Sequence, residues 1–89
     1  MGDVVRLWIK EKDDTPIKID IKEKNGEIEK DILLKKITKN NQIIYQITSG
    51  SDCGEYISLF YKEENTQLPE SLKFKGGFYN FIDEKIKMK

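Results

Sequence analysis

The chain has 89 residues, sixteen basic and sixteen acidic side chains, one cysteine and no histidine. That length sets a single domain with a thin core. The missing imidazole excludes Cys-His centres, Ser-His-Asp centres and ordinary zinc sites, and the solitary thiol excludes an internal disulfide.

Thirteen isoleucines stand against no alanine. Isoleucine fits a pleated surface and alanine is the best helix former, so composition leans towards β-structure. In chain order, Val5, Leu7 and Ile9 alternate with Arg6, Trp8 and Lys10. Ile17, Ile19 and Ile21 alternate with Lys18, Asp20 and Lys22, and the turn formers Asp13-Asp14-Thr15-Pro16 lie between. A period of two marks strands with one buried face, so these segments predict a first hairpin.

Asn25-Gly26 is the strongest short hairpin signal and predicts a strand over 27–38, with Ile28, Ile32 and Leu34 on one face. Leu33 and Ile37 do not fit that face without a bulge. The competing reading is a helix, because Glu, Lys and Leu are good helix formers. Asn40-Asn41 is a further turn, after which Ile43, Tyr45 and Ile47 share a face. A turn over Ser49–Gly54 leads to a strand with Ile57, Leu59 and Tyr61 on one side and Tyr56, Ser58 and Phe60 on the other. A polar loop is expected over 63–71, then a tight hairpin around Gly76-Gly77. The tail alternates Ile86 and Met88 with lysines as a strand does, although Phe78, Phe81, Ile82 and Ile86 also fit one helix face.

Short strands at even spacing predict a mainly β fold: a small antiparallel meander forming a barrel or sandwich. If 27–38 is a helix, the element order is that of an α+β, ubiquitin-like β-grasp.

The stretch SGSDCGE, Ser49 to Glu55, looks most like chemistry. A nucleophilic cysteine or serine needs a base, and a Ser-Lys dyad needs a desolvated lysine that nothing here marks. The stretch reads as a turn. An EF-hand-like frame over DIKEKNGEIEKD, with Gly26 sixth, puts apolar Ile21 at the first ligand position, so calcium is not expected. Gly76-Gly77 lacks the spacing of a phosphate loop. The pairs Glu63-Glu64 and Asp83-Glu84 are adjacent acids, which a strand points to opposite faces. No catalytic residue, metal or cofactor is expected.

What remains is aromatic. With Val5, Leu7 and Ile9 inward, Trp8 faces out; Tyr56 and Phe60 do the same, and Tyr79 joins them as a partner-binding set. The other reading gathers Trp8, Tyr56 and Phe60 into a second small core. Aromatic side chains bury much area at small entropic cost and recur at binding hot spots. The expected function is therefore non-enzymatic binding of another protein. The alternative is a single-stranded nucleic-acid-binding barrel, with bases stacked on Trp8, Tyr56 or Phe60 and lysines along the phosphates. Charge balance and a single arginine, Arg6, weigh against that alternative.

No apolar run exceeds three residues, so no membrane span is expected. The first residues, MGDVVRLWIKEKDD, lack the pattern of a leader or a myristoylation signal, and a cytoplasmic protein is expected. Lys-, Ile- and Asn-rich, Ala-free usage is what AT-rich coding gives, which points to an accessory or inhibitory protein of a low-GC bacterium or its phages.

Overall fold

A computed structural model describes residues 2–61 and 68–89. It contains eight strands: β1 (Val4–Lys10), β2 (Pro16–Lys22), β3 (Ile28–Lys39), β4 (Gln42–Ile47), β5 (Tyr56–Phe60), β6 (Ser71–Phe74), β7 (Gly77–Tyr79) and β8 (Glu84–Met88). No helix occurs among the described residues. The helical readings of 27–38 and 78–88 are thus overturned. In both segments apolar residues meet a neighbouring strand, and packing outweighs the modest helix propensity of Glu, Lys and Leu.

The strands form one sheet in the order β7-β6-β5-β4-β3-β2-β1-β8. The first seven are an antiparallel meander, as the even spacing predicts. The eighth departs from it and lies parallel to β1, with Trp8 beside Ile86. That placement requires a curled sheet. In a flat sheet β7 and β8, at opposite edges, would be about 33 Å apart. The five steps from Tyr79 to Glu84 reach at most about 18 Å. The sheet is therefore a half-barrel whose own curvature brings its edges together.

The inside of the curl is the core. Val5, Leu7, Ile9, Ile19, Ile21, Ile32, Ile47, Ile57, Leu72, Phe74 and Ile82 form one buried cluster. Each such side chain is worth roughly 1.5–3 kcal/mol of burial. The link 80–83 seals the remaining gap. Ile82 is buried and its N–H donates to the Glu70 carbonyl at 3.1 Å. Asp83 clamps β1 twice: its N–H donates to the Val5 carbonyl at 2.8 Å, and its Oδ2 accepts the Val5 N–H at 2.7 Å.

Two bulges correct the simple alternation. In β2 the register passes from Trp8↔Lys18 to Ile9↔Pro16. Ile17 is the extra residue, so only Ile19 and Ile21 of the expected trio are buried. In β3, Ile21 pairs with Glu29 but Ile19 pairs with Ile32, so two residues of β3 oppose Asp20. Asp31 takes the strained conformation, with φ of 55°. The bulge turns Ile28 outward, where it is 54% exposed, while Ile32 is buried and Leu34 packs on the core. The expected shared face of Ile28, Ile32 and Leu34 thus holds only for the last two.

The turns follow their residues. Asn40 and Asn41 both have positive φ, 51° and 64°, and join β3 to β4 with Lys39 opposite Gln42. Two positive φ values match the right-handed twist of the strands they connect. The last hairpin turns on Lys75-Gly76, one residue earlier than expected, with Phe74 opposite Gly77. Most of the expected loop 63–71, including Glu63-Glu64, lies outside the described residues.

Candidate partner-binding surface

SGSDCGE is a turn with a structural task. The Ser49 hydroxyl accepts the Leu33 N–H at 3.0 Å and donates to the Asp31 carbonyl at 2.9 Å. It thereby satisfies the backbone groups that the β3 bulge leaves without a ladder partner. Asp52 binds the Lys75 ammonium at 2.7 Å, and Glu29 lies 3.6 Å from the same nitrogen. Asp52 holds the Lys75 ammonium above its ordinary pKa. Cys53 is exposed and free. Asp83 and Glu84 are occupied as well, Asp83 on Val5 and Glu84 on Arg6 at 3.0 Å.

The aromatic side chains divide into three places. Tyr56 and Phe60 stand on the outer face of β5, each 45% exposed. Their strand register explains why: Tyr45 and Ile57 are inward partners, so the neighbours of Ile57 point out. Phe78 joins them from β7, because Ser58, Lys73 and Phe78 form one row across β5, β6 and β7. The Phe60 and Phe78 rings meet edge to face, with centroids 5.7 Å apart and planes at 76°. Phe81, in the link to β8, is 74% exposed and lines a cleft with Phe78, Tyr79 and Asp3. The Lys39 ammonium lies 5.5 Å from the centre of the Tyr56 ring.

Trp8 is not part of this surface. It faces out from β1, and β2, β3 and β4 lie between it and Tyr56. It is half-buried, with the Lys18 ammonium 4.5 Å over its ring. Lys18 in turn donates to Asp31 Oδ1 at 2.9 Å, and this hydrogen bond holds the Asp31 carboxyl below the usual carboxylate range. Trp8, Tyr56 and Phe60 therefore form neither one patch nor one second core.

Tyr79 faces the interior. It sits opposite Leu72, packs against the core, and donates its hydroxyl to Glu23 Oε1 at 2.8 Å. Burial, then the Glu23 carboxylate, push its phenol well above the ordinary range. Of the four expected binding residues, the structure places Tyr56 and Phe60 on one face of β5, and it supplies Phe78, beside Phe60, in place of Trp8 and Tyr79. The signal for Phe78 was in the sequence. Leu72 and Phe74 alternate with Lys73 and Lys75, so a two-residue turn at either place sets Tyr79 against an inward residue and Phe78 against a lysine.

Among the described residues no group of three Cys, Asp or Glu side chains is placed to hold a metal ion. Among them, too, no helix is long and apolar enough to cross a membrane. No protein-family model, no curated protein and no solved structure matches the chain.

Proposed function

We propose that the chain is a non-enzymatic, cytoplasmic binding domain that captures another protein on the outer face of β5, β6 and β7. The observation that supports this reading is the Phe60–Phe78 pair. Two phenylalanines, 45% and 53% exposed, hold each other in fixed geometry on an open sheet face. Fixed aromatic rings lose little entropy on binding, and contiguous apolar surface of this kind marks interaction sites. The coding bias towards Lys, Ile and Asn supports an accessory or inhibitory role in a low-GC bacterium or phage.

The test is capture from the source cell by wild-type chain and by a Phe60→Ser/Phe78→Ser variant. Both side chains face solvent, so the variant should fold normally by circular dichroism. Truncating two such anchors should weaken capture by about 30-fold or more. Undiminished capture by the folded variant would remove this face from consideration.

A second reading, single-stranded nucleic acid, has one observation in its favour: lysines lie beside the aromatics, Lys39 at Tyr56 and Lys73 next to Phe78. It predicts a complex that weakens steeply with salt.

A further inference from the structure

We infer that the protein captured by this face is acidic: an extended segment in which Asp or Glu alternates with bulky apolar side chains. The inference rests on the binding reading above and specifies its partner.

The chain is neutral, but the fold separates its charges. Strands β4, β5, β6 and β7, and Ile32–Lys39 of β3, contain no aspartate or glutamate. On the outer face of this half of the sheet stand Lys35, Lys39 and Lys73. Lys35 begins a row that continues through Gln46 to Tyr56. Lys73 sits between Ser58 and Phe78. Five cations elsewhere have carboxylate partners, Arg6 with Glu84, Lys18 with Asp31, Lys75 with Asp52, Lys85 with Glu70 and Lys87 with Asp14; what distinguishes this half of the sheet is that its strands carry lysines and no acid. Among the described residues no carboxylate pairs with Lys35, Lys39 or Lys73. A partner bearing carboxylates is attracted here and a basic one repelled.

The rings favour an acidic protein over a nucleic acid. A stacked base needs an open aromatic face. One face of Tyr56 holds the Lys39 ammonium, and the edge-to-face contact between Phe60 and Phe78 covers a face of one of these two rings. What they offer is an apolar rim with cations beside it, which suits Leu or Phe side chains flanked by carboxylates. Lys35 on β3 and Lys73 on β6 are three strand spacings apart and two residues out of row, about 16 Å. An extended chain covers that distance in about four to five residues. Acids recurring every four or five residues, with apolar residues between, would therefore meet both lysines and the Phe60–Phe78 pair.

The experiment is an NMR titration of the full, isotope-labelled chain with a synthetic peptide in which Asp-Glu and Leu-Phe pairs alternate, and separately with oligothymidylate. The peptide should move the amide resonances of Lys35, Lys39, Tyr56, Phe60, Lys73 and Phe78. A Lys35→Glu/Lys39→Glu/Lys73→Glu variant should bind the peptide about tenfold more weakly, or worse. A peptide that moves none of these resonances overturns the inference, as does an unchanged affinity in the charge-reversed variant. Oligothymidylate moving them in the peptide's place would overturn it in favour of nucleic acid. Partner capture separates the two levels. If Phe60→Ser/Phe78→Ser abolishes capture while the charge-reversed variant retains it, the binding reading stands and the acidic partner falls. If both variants retain capture, both fall.

Discussion

The Ser49 hydroxyl donates to the Asp31 carbonyl at 2.9 Å, and through that bond the turn after β4 holds the bulge in β3. The same oxygen accepts the Leu33 N–H. Ser49→Ala removes both bonds at once and should cost about 0.5–1.5 kcal/mol, the usual net worth of hydrogen bonds whose groups water can reach. Urea denaturation reads it directly. An unchanged midpoint would mean that the neighbouring Thr48–Leu33 backbone bond suffices to hold the bulge.

The bulge also shows where sequence reading stops. The strands of the first hairpin, the Asn40-Asn41 turn and the alternation from Tyr56 to Phe60 depend on local rules and are legible, whereas Ile17 is displaced by the β2 bulge and Tyr61, expected on the face of Ile57 and Leu59, lies beyond β5 and is 44% exposed. The β3 bulge carries no glycine: the strained residue is Asp31, held by Ser49 and Lys18 from distant parts of the chain. Alternation alone therefore put Ile28 on the wrong face. The parallel pairing of β8 with β1 is non-local too, since it depends on how far the whole sheet curls. Tyr79 was different, because its inward position followed from the alternation of Leu72 and Phe74. Trp8 was rightly read as outward, but its distance from Tyr56 depended on strand order, which no single strand reveals.

The turn between β3 and β4 offers a gain in stability. Asn41 holds φ of 64° as the second residue of its turn, a place where glycine is preferred. Asn41→Gly should stabilise the fold by about 0.5 kcal/mol. Asn41→Val should destabilise it by about 1–2 kcal/mol, since a β-branched residue is strained at positive φ. Thermal melts of the two variants should move in opposite directions from wild type.

Alkaline pH should loosen the core through Tyr45. Burial, with neighbouring Tyr61, pushes its phenol from 10.0 up to about 12. The raised value favours the neutral form in the folded state. Its contribution to stability is complete below pH 10, falls as pH rises, and is lost once pH passes about 12. Melting temperature should decline across that window. Tyr45→Phe, which cannot ionise, should flatten the decline in part; an equally steep decline in the variant would assign it to other groups, Tyr79 among them.

The closing link should separate sharply by side chain. Ile82 is 8% exposed and belongs to the core, whereas Phe81, next to it, is 74% exposed. Ile82→Ala should cost about 2–4 kcal/mol. Phe81→Ala should stay within about 0.5 kcal/mol of wild type. Equal losses at the two positions would contradict the placement of 80–83 across the open side of the half-barrel.

The recognition surface is tested most directly by hydrogen–deuterium exchange on the chain with its captured partner bound. Amides of Tyr56–Phe60, Ser71–Phe74 and Gly77–Tyr79 should gain protection relative to the free chain. Protection confined to β1, β2 and β8, with β5 to β7 exchanging as before, would place recognition on the opposite half of the sheet and contradict the account.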